Sequence, residues 1–134
     1  MKKNVIVSLA DANYFDLLNE LIDSIKSFEK SKDIAVCILD AGLSEQQKDI
    51  LSKKVDEIKS AEWDIDVPAF KVKEKEWLKS QVSRAFLPKY FPSYEKYLWI
   101  DCDAWVSNWD SVELYFKACE DGKLGITQTL GPGY

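Results

Sequence analysis

The chain has 134 residues, a hydrophobic content of 46% and a formal net charge of −5. This length suffices for one hydrophobic core, and we interpret residues 1–134 as a single domain. The acidic balance argues against nucleic-acid binding, because the lysines and arginines do not form the basic patch that a phosphate backbone requires. No apolar run approaches the ~20 residues of a transmembrane helix.

The numbers of cysteines and histidines restrict the kinds of catalysis and metal binding that the chain could support. The three cysteines are an odd number without close pairing, which favours reduced thiols and a cytoplasmic location. The chain has no histidine, and this excludes histidine-based catalysis and most zinc chemistry.

The first half of the sequence alternates between buried strands and amphipathic helices. Asn4–Ala10 is apolar and β-branched, as is typical of a buried strand. Residues 14–29 have the apolar spacing of a helix, and residues 34–39 resemble a second buried strand. Ser44 has the spacing of a capping box, which predicts a helix whose apolar face extends to Ile58.

The second half continues the same alternation, with proline, glycine and capping residues marking the boundaries. The pattern predicts a strand at 63–67, a helix at 80–87 broken by Pro88, a strand at 97–100, a helix from Asp110 to Gly122, and a strand at 124–129.

This order of elements predicts an α/β fold with an open, mainly parallel, five-stranded sheet and helices on both faces. Ligands bind such sheets outside the carboxyl ends of the strands. The residues that follow the predicted strands, beginning at Asp11, Asp40 and Asp101, are therefore the candidates for a binding site.

The sharpest chemical signal is the sequence Asp101-Cys102-Asp103, which follows four apolar residues. Ionised carboxylates are costly to bury, so they should be exposed, paired or bound to a cation. Strand alternation would put both on the same side of the backbone, where they would suit Mg²⁺ or Mn²⁺. The alternative is a strand end with two solvated acids. Trp99 and Trp105 flank the motif, and we expect both to pack in the core.

Two further groups are candidates for ligand contacts. Asp11 and Asn13 could hydrogen-bond a base or a ribose, and Tyr14 could stack on the base. In the alternative interpretation Asp11 or Asn13 caps a helix and Tyr14 packs in the core. Arg84 could reach phosphate or sugar oxygens or pair with Asp101, or it could be an ordinary surface arginine.

Together these segments resemble glycosyltransferase family eight. Residues 11–14 (DANY) look like that family's nucleotide-contacting turn, residues 83–88 (SRAFLP) like its arginine helix, and residues 96–106 (KYLWIDCDAWV) like its D-x-D strand. The order and spacing of all three segments match, over nearly the whole chain.

The resemblance implies a GT-A, Rossmann-like fold and a hexosyltransferase activity on a nucleotide-diphosphate sugar, often a UDP-sugar. It implies Mn²⁺ or Mg²⁺ on Asp101 and Asp103. The donor contacts that it implies are at Asp11, Asn13, Tyr14, Arg84, Asp101 and Cys102.

The sequence also departs from the family. The family often has a second acid where this chain has Ala12, and it places a metal-ligating histidine near its C-terminus. We therefore expect a truncated donor-binding half that lacks the C-terminal acceptor half, whose acceptor is unknown, or else a minimal relative. In either case we expect the chain alone to transfer sugar poorly or not at all. The sheet edge near residues 97–100 would then be open and could support a homo-oligomer.

Three other interpretations compete with the glycosyltransferase. The chain could be a non-catalytic nucleotide-sugar-binding module, or a structural fragment without a ligand. It could also be a haloacid-dehalogenase-type phosphohydrolase, although that motif normally follows the first strand rather than the fourth.

Overall fold

A computed structural model describes residues 2–61 and 87–119. Four strands form one sheet in these two segments: β1 (Asn4–Ala10), β2 (Ile34–Asp40), β3 (Glu57–Ser60) and β4 (Lys96–Trp99). The strand order is β3-β2-β1-β4, and every pairing is parallel. The carboxyl ends of all four strands therefore lie at one edge of the sheet, as predicted.

The helices differ in length and in the way they begin. A 3₁₀ turn (Ala12–Tyr14) precedes α1 (Phe15–Lys26), and a second 3₁₀ turn covers Glu29–Asp33. The remaining helices are α2 (Glu45–Ser52), a short α3 (Leu87–Tyr90) and α4 (Trp109–Ala118). Among the described residues, no helix is both long and apolar enough to cross a bilayer.

The central strand β1 is buried on both faces because its side chains alternate between two apolar layers. Ile6 and Ala10 face a layer built with α1, α2 and α4. Val5, Val7 and Leu9 face a second layer, to which α3 contributes. Helices therefore lie against both faces of the sheet, and the predicted open α/β architecture is confirmed. Burying a strand on both sides explains why its sequence is almost continuously apolar.

Capping decides where two helices begin. Ser44 forms the predicted capping box with Gln47, and each side chain bonds the other residue's backbone N–H. The predicted cap at Asp110 is wrong, because the side chain of Asn108 accepts the Asp110 N–H at 2.7 Å. An asparagine caps as well as an aspartate, so the spacing alone did not choose between them.

The prediction that helix α2 extends to Ile58 is also wrong. The helix ends at Ser52, and Ile58 lies on β3 beside Ile38. This strand has four residues, and only one of its side chains is apolar and partly buried. Such a short segment shows no alternation of apolar and polar residues that would distinguish it from a continuation of the helix. Pro88 lies within α3 rather than ending a helix.

Several predictions fall outside the described residues. These are the strand at 63–67, most of the helix at 80–87, Arg84, Gly122 and the strand at 124–129. The open sheet edge near residues 97–100, and association through it, stay predictions.

Candidate functional site

A cavity of about 390 Å³ lies at the carboxyl edge of the sheet, beside the neighbouring strands β1 and β4. The end of β1 contributes Leu9 and Ala10 to its lining, followed by Asp11 and Tyr14. The end of β4 contributes Trp99, Asp101, Cys102 and Asp103. This volume is within the range of small-molecule sites, and the lining combines apolar walls with a few converging polar groups.

Asp11 is the N-cap of the turn that follows β1. Its Oδ1 accepts the backbone N–H of Asn13 at 2.9 Å and that of Tyr14 at 3.2 Å. The capping alternative is therefore correct for Asp11, although the capped element is a 3₁₀ turn rather than α1. Capping does not remove Asp11 from the cavity, since the residue also lines it.

Tyr14 is not a core residue, because 48% of it is exposed. It is not part of the apolar layer, against which the next residue, Phe15, packs. An exposed aromatic ring on the lining of a cavity is available to stack on a planar ligand. Asn13 is exposed on the same turn but does not line the cavity.

The loop between β2 and α2 supports this turn from the side. The Ala12 N–H donates to the Gly42 carbonyl at 3.1 Å, and the Gln47 side chain donates to the Ala12 carbonyl at 3.3 Å. Asp40 holds the loop itself, because its Oδ1 accepts the N–H groups of Gly42 and Leu43. Hydrogen bonds from the loop after β2 and from α2 therefore hold the turn after β1 in position.

The D-x-D motif lies in a turn rather than on an extended strand. β4 ends at Trp99, and the Ala104 N–H donates to the Asp101 carbonyl at 2.9 Å. The predicted alternation of the two acids along a strand is therefore wrong. The tight turn nevertheless leaves both carboxylates exposed and lining the same cavity.

The chain after the motif is anchored to α1. The Val106 N–H donates to the buried Ser24 hydroxyl at 3.1 Å, and Val106 is itself buried. Trp105 lies just before this anchor and is 62% exposed, so the expectation of core packing is wrong for it. Trp99 does pack, partly buried, against the apolar layer on the α3 face.

Cys102 lies in an acidic environment. Burial raises the pKa of its thiol, and the carboxylates of Asp103, Asp101 and Asp11 raise it further. Asp101 and Asp103 are the chain neighbours of Cys102, whereas Asp11 acts on it from the end of β1. Such an environment disfavours a thiolate and favours a cation.

The donor set agrees with a hard divalent cation. In residues 2–61 and 87–119, no group of three or more acidic, cysteine or histidine side chains is arranged to hold a metal ion. Asp101 and Asp103 contribute two carboxylates to the lining of the cavity. Mg²⁺ is commonly held by one or two carboxylates together with substrate phosphates and water, and carboxylates also suit Mn²⁺. The two acids thus suit a cation that arrives with a phosphate ligand.

The structure brings together five of the residues singled out from the sequence: Asp11, Tyr14, Asp101, Cys102 and Asp103. Sequence reasoning placed Trp99 in the core and missed its place on the cavity wall, although a tryptophan two residues before an exposed acid could have indicated it. Gly42 belongs to the candidate segment that begins at Asp40, but its bond to Ala12 was not predicted.

An open parallel sheet with acidic turns at its carboxyl edge defines a Rossmann-like α/β domain of the GT-A type. The sequence profile of glycosyl transferase family 8 matches residues 5–124, and the chain belongs to that family. Enzymes of this family generally use divalent metals. A comparison with curated proteins found no match. Family membership argues against the dehalogenase-type phosphohydrolase.

Proposed function

We propose that this chain binds a nucleotide-diphosphate sugar, with UDP as the nucleotide, and contributes to hexosyl transfer onto an acceptor. The observation that carries the proposal is one cavity shared by the capped turn at Asp11 and the acidic turn at Asp101–Asp103. These two turns supply different chemistry to one space. The proposal treats residues 1–134 as a single nucleotide-sugar-binding domain.

The nucleoside end of the donor is assigned to the capped turn. Tyr14 offers an exposed ring on the cavity wall, and base–aromatic stacking is worth ~1–3 kcal/mol. The Asp11 carboxylate can accept hydrogen bonds from a base imide or a ribose hydroxyl. Asn13 is close enough along the chain to contact the ribose from the exposed side of the turn.

The diphosphate end is assigned to the acidic turn. Asp101 and Asp103 would hold Mn²⁺ or Mg²⁺, and Cys102 between them would lie against the donor. A cation bound there acts as a Lewis acid that stabilises the charge developing on the leaving diphosphate. The carboxylates themselves repel a diphosphate, so the protein alone should bind the nucleotide weakly.

Arg84 belongs to the same proposal. Its guanidinium would contact phosphate or sugar oxygens of the donor, as a bidentate donor group. It lies outside the described residues, and the proposal for it depends on the family resemblance of residues 83–88.

Two substitutions at Asp11 test the nucleoside end, because they separate capping from binding. Asp11→Asn keeps a side-chain oxygen for the Asn13 and Tyr14 N–H groups but replaces a carboxylate oxygen by a donor. We expect unchanged stability and UDP binding weakened about tenfold, as for the loss of one charged hydrogen bond. Asp11→Ala should weaken binding and also lower the free energy of unfolding by about 1 kcal/mol.

The measurement is UDP affinity by calorimetry together with urea unfolding of each variant. With Mg²⁺ present, saturation-transfer NMR on UDP should show transfer to the uracil and ribose protons with the wild-type protein. Wild-type affinity in Asp11→Asn would remove Asp11 from the site and leave it only the capping role. No saturation transfer to UDP with the wild-type chain would contradict the proposed function as a whole.

A further inference from the structure

We infer that Trp99 is a positioning residue for the acidic turn: its indole N–H holds the Asp101 carboxylate in the orientation that receives a divalent cation. The inference rests on the proposed function. It assigns Trp99 a role in cation binding through Asp101 and without any contact to the cation.

The contact is direct and well formed. Trp99 Nε1 donates to Asp101 Oδ1 at 2.8 Å. An indole N–H can only donate and an ionised carboxylate can only accept, so the direction of this bond is fixed. A hydrogen bond to a charged acceptor is also about twice as strong as one between neutral groups.

The two residues differ in how firmly the fold holds them. Trp99 is the last residue of β4, lies opposite Val7 in the sheet, and packs partly buried against the apolar layer on the α3 face. Asp101 follows in the turn closed by Ala104 and is exposed. The indole is held in place by the sheet, and its hydrogen bond therefore restricts the motion of a carboxylate on an exposed turn.

Such an arrangement affects cation affinity. An exposed carboxylate loses rotamer freedom when it binds an ion, and a side chain already held in one orientation loses less. The indole is one of the partners of Asp101. Hydrogen-bond partners of metal ligands typically change metal affinity by about 10–100-fold when they are removed.

The test is Trp99→Phe, which keeps an aromatic ring in the apolar layer but removes the N–H. The readouts are Mn²⁺ binding to the full chain in the presence of UDP, by electron paramagnetic resonance, and UDP affinity in Mn²⁺ and in chelator. We expect Mn²⁺ binding to weaken about tenfold, and we expect UDP affinity in chelator, where Trp99 acts only as part of the cavity wall, to change much less. Trp105→Phe is the matched control, because Trp105 neighbours the same acids without lining the cavity, and it should change Mn²⁺ binding less than twofold.

A second variant separates the hydrogen bond from packing. Replacing Trp99 alone by benzothienylalanine exchanges the N–H for sulfur at nearly constant ring size, and it should weaken Mn²⁺ binding as Trp99→Phe does. Unchanged Mn²⁺ binding in this variant, alongside a loss in Asp103→Asn, would overturn the role of Trp99 and leave the proposed function standing. Unchanged Mn²⁺ binding in Asp103→Asn as well would overturn both.

Discussion

Gly42 lies against Asp11, and a Cβ at Gly42 would be 3.5 Å from the Asp11 Cβ. The Gly42 carbonyl also accepts the N–H of Ala12, the next residue after Asp11. The loop that follows β2 is thus hydrogen-bonded to the turn that follows β1. The position of Asp11 therefore depends on the backbone conformation of a residue that is distant in sequence.

Gly42→Ala should damage both stability and binding. Gly42 has a φ of +134°, a conformation that a residue with a Cβ rarely adopts, so the substitution should cost ~1–3 kcal/mol of unfolding free energy. A 3.5 Å contact is ordinary, so the strain arises in the backbone and not from a clash. Relief of that strain would shift the Gly42 carbonyl away from Ala12, and UDP affinity should fall.

Ser44→Ala provides the control for Gly42→Ala. It removes the capping side chain of α2 at a cost of about 1 kcal/mol but leaves the Ala12–Gly42 bond in place. Urea unfolding and UDP titration of both variants give the comparison. Equal UDP affinities in the two variants would show that Gly42 supports only the fold.

Tyr14→Ala should weaken UDP binding by about tenfold or more, since the base would lose its stacking surface. Leu17→Ala is the matched control, because Leu17 is also exposed, at 40%, one turn further along and does not line the cavity. Both truncations remove exposed side chains, so neither should change stability by more than about 0.5 kcal/mol. Equal UDP affinities for the two variants would exclude Tyr14 from the nucleoside site.

Features that depend on local sequence patterns could be predicted, whereas features that depend on contacts between distant parts of the chain could not. β1 was predicted with its observed bounds because five of its seven residues are apolar and are buried on two faces, which leaves a nearly continuous apolar pattern. β3 was missed because its four residues include only one apolar side chain, the partly buried Ile58, and so show no clear strand pattern. The parallel sheet follows from the alternation of elements, and this alone places Asp11 and Asp101 at one edge.

The details of the site depend on contacts that no local pattern records. The hydrogen bond between Ala12 and Gly42 joins residues that follow two different strands. The hydrogen bond from Trp99 to Asp101 depends on the residue at which β4 ends. Strand alternation failed for Asp101 and Asp103 because a hydrogen-bonded turn replaces the strand there. Both carboxylates reach the cavity through the turn.

Alkaline pH should destabilise the fold through Cys37. This thiol is fully buried between β1 and β3, with Tyr94 Oη at 3.8 Å and Glu57 Oε2 at 3.9 Å from its sulfur. Burial raises its pKa from 9.0 to about 11, and burial also raises the pKa of Tyr94. The unfolded chain therefore loses the thiol proton at lower pH than the folded chain does.

The contribution of Cys37 is complete below pH 9 and is lost as the pH rises toward about 11. The loss should amount to about 2–3 kcal/mol over that interval. Urea unfolding of the wild type and of Cys37→Ala between pH 8 and 11 measures it, and the variant should lack this part of the pH dependence. Parallel pH profiles for the two proteins would show that the buried thiol does not titrate with folding.

The most direct test of the account is calorimetric titration of UDP into the wild type and Asp103→Asn, each in Mn²⁺ and in chelator. We expect Mn²⁺ to strengthen UDP binding to the wild type by tenfold or more, and we expect most of that gain to be lost in Asp103→Asn. Asp49→Asn, at an exposed acid outside the cavity, should behave as the wild type. Equal wild-type UDP affinities in Mn²⁺ and in chelator would contradict a divalent-cation site at Asp101 and Asp103.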